Sequence, residues 1–94
     1  DELGLLVCSS GIGMSIAANK VPGVRAALVL NEKMAGLARQ HNNANVLSLG
    51  ARFLTEEQAV EAISLRLNTP FPEEERHVRR LGKISEYEGR RRRQ

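Results

Sequence analysis

The stretch Cys8-Ser9-Ser10-Gly11-Ile12-Gly13-Met14-Ser15 decides the fold of this chain. Behind it, Leu3 to Val7 is an apolar run of strand length; beyond it, Met14, Ala17 and Ala18 recur at helical spacing. The pattern predicts a turn between the carboxyl end of a buried strand and the amino end of a helix. Backbone N–H groups directed out of such a turn, together with the positive end of a helix dipole, suit a phosphate or the negative oxygen of an enolate-like intermediate. Cys8 stands at the rim. The same donors favour thiolate over thiol, so a cysteine there can act as a base or nucleophile near neutral pH. A lone cysteine closing an apolar strand is also the ordinary place of a small buried hydrophobe, and the residues alone leave both roles open.

Working outward, Pro22-Gly23 ends the first helix, expected from about Met14 to Asn19. Arg25 to Leu30 then contains the unbroken run Ala26-Ala27-Leu28-Val29, the pattern of a strand covered on both faces. Asn31 is a natural N-cap for a helix running to about Gln40, with Met34, Leu37 and Ala38 as its inward stripe. His41-Asn42-Asn43-Ala44-Asn45 reads as a polar turn into a third strand, Val46 to Leu49, closed by Gly50. Thr55-Glu56-Glu57 starts another helix with a hydroxyl cap and acids in its first turn, its core face being Ala59, Ala62, Ile63 and Leu67. After the breaker Asn68-Thr69-Pro70-Phe71-Pro72, a last helix is expected from Glu73 to about Glu88, with Pro72 at its first position. Arg76, Arg79, Arg80 and Lys83 form one basic stripe on it, which by itself is an exposed face partly neutralised by Glu73, Glu74, Glu75 and Glu86. Strand–helix alternation with short connections implies an α/β fold: a parallel sheet with helices on both faces.

The 94 residues fit one domain, and the net charge of +3 hides an asymmetry. Residues 1 to 75 carry six Lys/Arg against nine Asp/Glu, whereas residues 76 to 94 carry eight against two. The boundary is expected near residue 89, with residues 90–94 as a basic disordered tail. Tyr87, Phe53 and Phe71 are the only aromatics and no nucleic-acid reader motif is present, so nucleic acid is not an expected partner. One cysteine cannot form an internal disulfide, no signal segment opens the chain, and no apolar run reaches membrane-spanning length. The expected location is the cytoplasm, without a membrane partner.

The blocks CSSGIGMSIAANKVPGVRAAL, ARQHNNANVLSLGAR and ERHVRRL resemble, in order and spacing, the ribose-5-phosphate isomerase B family, which also contains the galactose-6-phosphate isomerase subunits. The resemblance runs from Leu3 to Ile84 and corresponds to the family's carboxyl-terminal two-thirds. Its amino-terminal strands, and the Asp-His pair that ends the first of them, have no counterpart here. A partial phosphosugar isomerase domain over residues 1–89 is therefore expected: a Rossmann-like parallel sheet with three strands present, assembling as a homodimer or higher homo-oligomer with shared active sites.

The resemblance implies isomerisation of a phosphorylated sugar, ribose 5-phosphate to ribulose 5-phosphate, through an enediolate and without metal or cofactor. Cys8 would move the proton and His41 would open the sugar ring. Ser9, Ser10, Gly11, Ile12, Gly13 and Asn42 would contact substrate; Arg52, Arg76 and Arg80 would hold its phosphate. Cys8, His41 and Arg52 are expected along the carboxyl edge of the sheet. Part of the family places a glutamate base just after the Gly-x-Gly turn, where this chain has Met14, which favours Cys8. Two departures stand out: Ser9 where Gly is usual after the Cys, and Glu73-Glu74-Glu75 where Gly-Gly is usual before the first phosphate arginine. The alternative is a truncated or degenerate isomerase subunit that binds phosphosugar, or pairs with another chain, without turnover.

Overall fold

The computed structural model describes residues 2–92, with the side chain of Arg92 excepted. Its elements in chain order are β1 (Gly4–Cys8), α1 (Ile12–Ala18), β2 (Ala26–Val29), α2 (Glu32–Asn42), β3 (Val46–Gly50), α3 (Glu56–Asn68) and α4 (Glu75–Arg92). The apolar runs pair as parallel strands in the order β1-β3-β2. Gly4 and Ala26 both align with Val46 at the starting edge, and Cys8 aligns with Gly50 at the finishing edge.

This order sets the helices on opposite faces. The crossover from β1 to β2 steps past β3 and the crossover from β2 to β3 steps back, so two right-handed connections put α1 on one face and α2 on the other. α3 packs beside α2. The core is Val29, Ala35, Ala38, Ala44, Leu47, Leu49 and Ala62, and its alanines let α2 and α3 approach each other closely. On the other face α1 buries none of its residues. Ile12 and Ile16 of α1 remain exposed there, and a largely apolar groove of about 400 Å³ runs between α1 and β1; Leu5 and Val7, in register with Leu47 and Leu49 on the α2 face, are exposed at the sheet edge as well.

Two expected core residues are not in the core. Leu37 and Leu67 lie on the surface, while Ala35 and Arg66 occupy the buried stripes of α2 and α3. Arg66 is only 2% exposed and donates from Nε to the Ala44 carbonyl at 2.7 Å, a bond that a leucine at that place could not supply. Burial, with Arg39 and Arg25 close by, pushes its pKa below the usual arginine value.

Several boundaries also shift, each for a local reason. α2 runs through His41 and Asn42 and stops at Asn43, whose φ of 44° is left-handed and whose N–H returns to the helix carbonyls. β3 takes in Gly50 instead of ending before it. α3 begins as expected, with a reciprocal capping box between Thr55 and Gln58. α4 starts at Glu75, not Glu73, because Glu73 has a φ of 56° that no helix accommodates, so Pro72 is not its first residue. It also continues through Arg90 and Arg91 to Arg92; Arg93 and Gln94 of the expected tail lie outside the described residues. No helix among the described residues is long and apolar enough to cross a membrane.

Candidate active site

The turn after β1 is built around close contacts that only glycine permits. Gly11 has a φ of 79°, and a Cβ there would stand 2.8 Å from Leu28 and 3.1 Å from the Ser48 carbonyl oxygen. Gly50 is equally confined, since its Cβ would meet the Ser10 carbonyl oxygen at 2.6 Å. Ser48 Oγ, fully buried, donates to the Gly11 carbonyl at 2.7 Å and anchors the turn to the middle strand. At the rim, the Gly11 N–H donates to Cys8 Sγ at 3.0 Å and the Ile12 N–H to Ser10 Oγ at 3.3 Å. The Arg52 N–H donates to the Ser9 carbonyl at 2.8 Å, which draws Arg52 to the same edge. The structure thus brings together Cys8, Ser9, Ser10, Gly11, Ile12, Gly13 and Arg52 at the carboxyl ends of β1 and β3. One in-turn N–H already faces the cysteine sulfur.

His41 is elsewhere. It occupies the last turn of α2, the helix that leaves the carboxyl end of β2 and returns to the amino end of β3, and so it lies at the edge where strands begin. A five-residue strand separates the two edges by about 13 Å. The expectation that Cys8, His41 and Arg52 line one edge is therefore corrected: the error was to place a residue at the carboxyl end of a helix with those at the carboxyl ends of strands.

A second cluster forms around His41. Arg80 of α4 donates from one terminal nitrogen to the His41 carbonyl and, at 2.9 Å, to Asn42 Oδ1. The His77 ring stacks on the His41 ring, with centroids 4.7 Å apart and planes at 19°. Arg76 Nε reaches Glu74 Oε2 at 3.2 Å, an exposed ion pair that occupies one of the expected phosphate ligands. The His77 side chain is buried, and its pKa is pushed below the usual histidine value by that burial and by Arg76, His41 and Arg80, with Glu74 opposing them. A cavity of about 960 Å³ adjoins this cluster, lined in part by Lys20, Arg25, Asn42, Ile84 and Tyr87. Glu88 Oε1 accepts from the Gly23 N–H at 2.7 Å along its wall.

Ser48 and His77 were not singled out by sequence reasoning, and Gly50 stood out only as the end of a strand. The signal for Ser48 was a lone hydroxyl in the apolar run Val46-Leu47-Ser48-Leu49. His77 gave no comparable signal, because its importance lies in what α4 packs against.

A parallel three-stranded sheet with helices on both faces and a glycine turn at its carboxyl edge defines a Rossmann-like α/β protein. More narrowly, the chain belongs to the Ribose/Galactose Isomerase family, whose pattern it matches over residues 1–84. It is 52% identical over 87 residues to the probable ribose-5-phosphate isomerase B of Mycoplasma genitalium, an alignment covering 93% of this chain and 57% of that protein. The ribose-5-phosphate isomerase B of Mycobacterium tuberculosis strain H37Rv is 43% identical over 87 residues, covering 93% of this chain and 54% of that one. Among solved structures, the Mycoplasma genitalium isomerase with bound ribulose 5-phosphate superimposes with a TM-score of 0.88 at 50% identity, covering 93% of this chain and 57% of the other. The type B ribose 5-phosphate isomerase of Trypanosoma cruzi gives 0.92 at 52% identity, covering 96% and 59%. The chain thus spans a little over half the length of the relatives it matches.

Proposed function

We propose that this chain is part of a sugar-phosphate isomerase, converting ribose 5-phosphate to ribulose 5-phosphate, and that its active site forms between two copies. The observation that carries the proposal is the separation of Cys8 from His41. Within one copy they lie at opposite edges of the sheet, so a site using both needs the Cys8 edge of one chain against the His41 edge of another. A homodimer supplies both edges twice.

In this reading His41 transfers the proton that opens the sugar ring, and Asn42 orients the substrate beside it. The Cys8 thiolate takes the proton from C2 of the open aldose and returns it to C1, while the proton of the C2 hydroxyl passes to the C1 oxygen. The Ser10 hydroxyl and the backbone from Ser9 to Gly13 surround the enediolate oxygen. Arg52 comes from the same copy as Cys8; Arg76 and Arg80 come from the partner and hold the phosphate by forked, charge-assisted bonds. The metal-free course and the cytoplasmic setting are part of the same proposal. The Mycoplasma genitalium relative with bound ribulose 5-phosphate supports the choice of sugar.

The test is hydrogen exchange on a chimera in which the segment that relative carries beyond the matched stretch is joined to this chain. Cys8→Ala is expected to abolish exchange of the C2 proton with solvent while phosphosugar binding persists. Exchange at the wild-type rate in that variant contradicts the role of Cys8, and absence of exchange in the unmodified chimera supports the non-catalytic alternative.

A further inference from the structure

We infer that His77 is a positioning residue for His41: its ring lies flat against the His41 imidazole and fixes the plane in which that ring meets substrate. The inference rests on the reading of His41 as the acid–base group. The rings are stacked at 4.7 Å and 19°, and His77 is 5% exposed, so its ring is itself held in place. One turn further along α4, Arg80 grips the His41 carbonyl and Asn42 Oδ1. The last turn of α2 is thus fixed twice by the same helix, its backbone by Arg80 and its imidazole by His77. An acid–base group gains rate only when the proton it moves lies in line with its nitrogen, so a ring held in one plane is worth more than one that turns freely.

The charges around the pair favour a neutral His77. His41 and Asn42 face it from α2; Arg76 and Arg80 face it from α4, and the Glu74 carboxylate lies 3.8 Å from Nε2, just before that helix. Nδ1 is buried and has no hydrogen-bond partner among the described residues. Protonating the ring would put an N–H on one nitrogen with nothing to receive it, close to two guanidiniums. A neutral His77 sets no like charge against His41 when His41 takes up a proton.

Two replacements separate stacking from simple filling of space: His77→Phe keeps a flat ring, and His77→Leu keeps an apolar side chain without one. In proton NMR of the 94-residue chain, the His41 ring protons should be displaced by the facing ring in the wild type and in His77→Phe, and should lose that displacement in His77→Leu. Unfolding the wild type in urea should remove it as well, a comparison that needs no variant. In the chimera, His77→Leu is expected to lower kcat by about tenfold or more with KM changed by less than about twofold, and His77→Phe to restore most of the rate. Unchanged His41 shifts in His77→Leu or on unfolding, or equal kcat in the two variants, overturn the inference. If the chimera turns over no aldose phosphate, the isomerase reading fails, and the ring shifts alone still decide whether His77 positions His41.

Discussion

The Gly11 N–H donates to Cys8 Sγ at 3.0 Å, and the Gly11 carbonyl accepts from Ser48 Oγ at 2.7 Å. One peptide turn thereby links the candidate base to the middle strand. Gly11→Ala would place a Cβ at 2.8 Å from Leu28 on a backbone with φ 79°. It is expected to cost about 1–3 kcal/mol. Ser48→Ala would remove one of the two donors to the Gly11 carbonyl, which keeps the Ser15 N–H at 3.1 Å, at a cost of about 0.5–1.5 kcal/mol. Chemical denaturation measures both; a loss below about 0.5 kcal/mol in either would show that the turn rearranges freely.

The acids before α4 make two separable predictions. Glu73 has a φ of 56°, where a side chain is strained and glycine is not. Glu73→Gly is expected to leave stability unchanged or raise it by up to about 1 kcal/mol. Glu74 pairs with Arg76, so Glu74→Gln should free that guanidinium and lower KM for the phosphorylated sugar in the chimera. The pair is exposed, so the effect should stay within about fivefold. A rise in KM would mean that Glu74 orients Arg76 for phosphate instead of competing with it.

Stability should fall on mild acidification through His77. Its folded pKa lies below the ordinary 6.5 because of burial first and then Arg76, His41 and Arg80, so near and below that value the unfolded chain binds more protons than the folded one. The contribution is complete above about pH 6.5 and is lost as pH falls towards the lowered folded value. Urea midpoints should therefore drop between about pH 7 and pH 5, and drop less in His77→Phe. Parallel curves for the two proteins would contradict the sign or the assignment.

The uncovered surfaces predict association. β1 is an edge strand whose Val7, in register with Leu49 and Val29 on the α2 face, is 63% exposed, and Ile16 of α1, on the other face, is 58% exposed. Sedimentation of the 94-residue chain should show concentration-dependent self-association, reduced in the double variant Val7→Lys, Ile16→Lys. A wild-type chain that stays monomeric at high micromolar concentration would mean that these surfaces tolerate water.

Strand–helix alternation, the Thr55 cap and the parallel sheet were legible in the sequence, because each follows from a local pattern: an apolar run, a capping residue, a helical period. Core assignments failed at Leu37 and Leu67, where periodicity identified a helix but not the rotation that tertiary packing gives it. Arg66 was not legible as a core residue, since its burial depends on a carbonyl 22 positions away. For the site, the turn from Cys8 to Gly13 was visible as a unit because its glycines and the Cys8–Gly11 and Ser10–Ile12 hydrogen bonds are sequence-local, whereas its anchoring by Ser48 is not. The separation of His41 from Cys8 followed only from strand order and helix direction together. The stacking of His77 on His41 required α4 to be in place, and Glu73's left-handed backbone is no property of glutamate.

The claim that one site is shared by two copies is tested most directly by mixing two inactive variants of the chimera, Cys8→Ala and His41→Ala, under conditions that allow subunits to exchange. A mixed dimer holds one site with both substitutions and one with neither, so random exchange at equal concentration should restore about a quarter of wild-type turnover. Recovery near that level is the predicted result. No recovery, with exchange confirmed independently, would contradict the account and mean that Cys8 and His41 act within a single copy or do not act together.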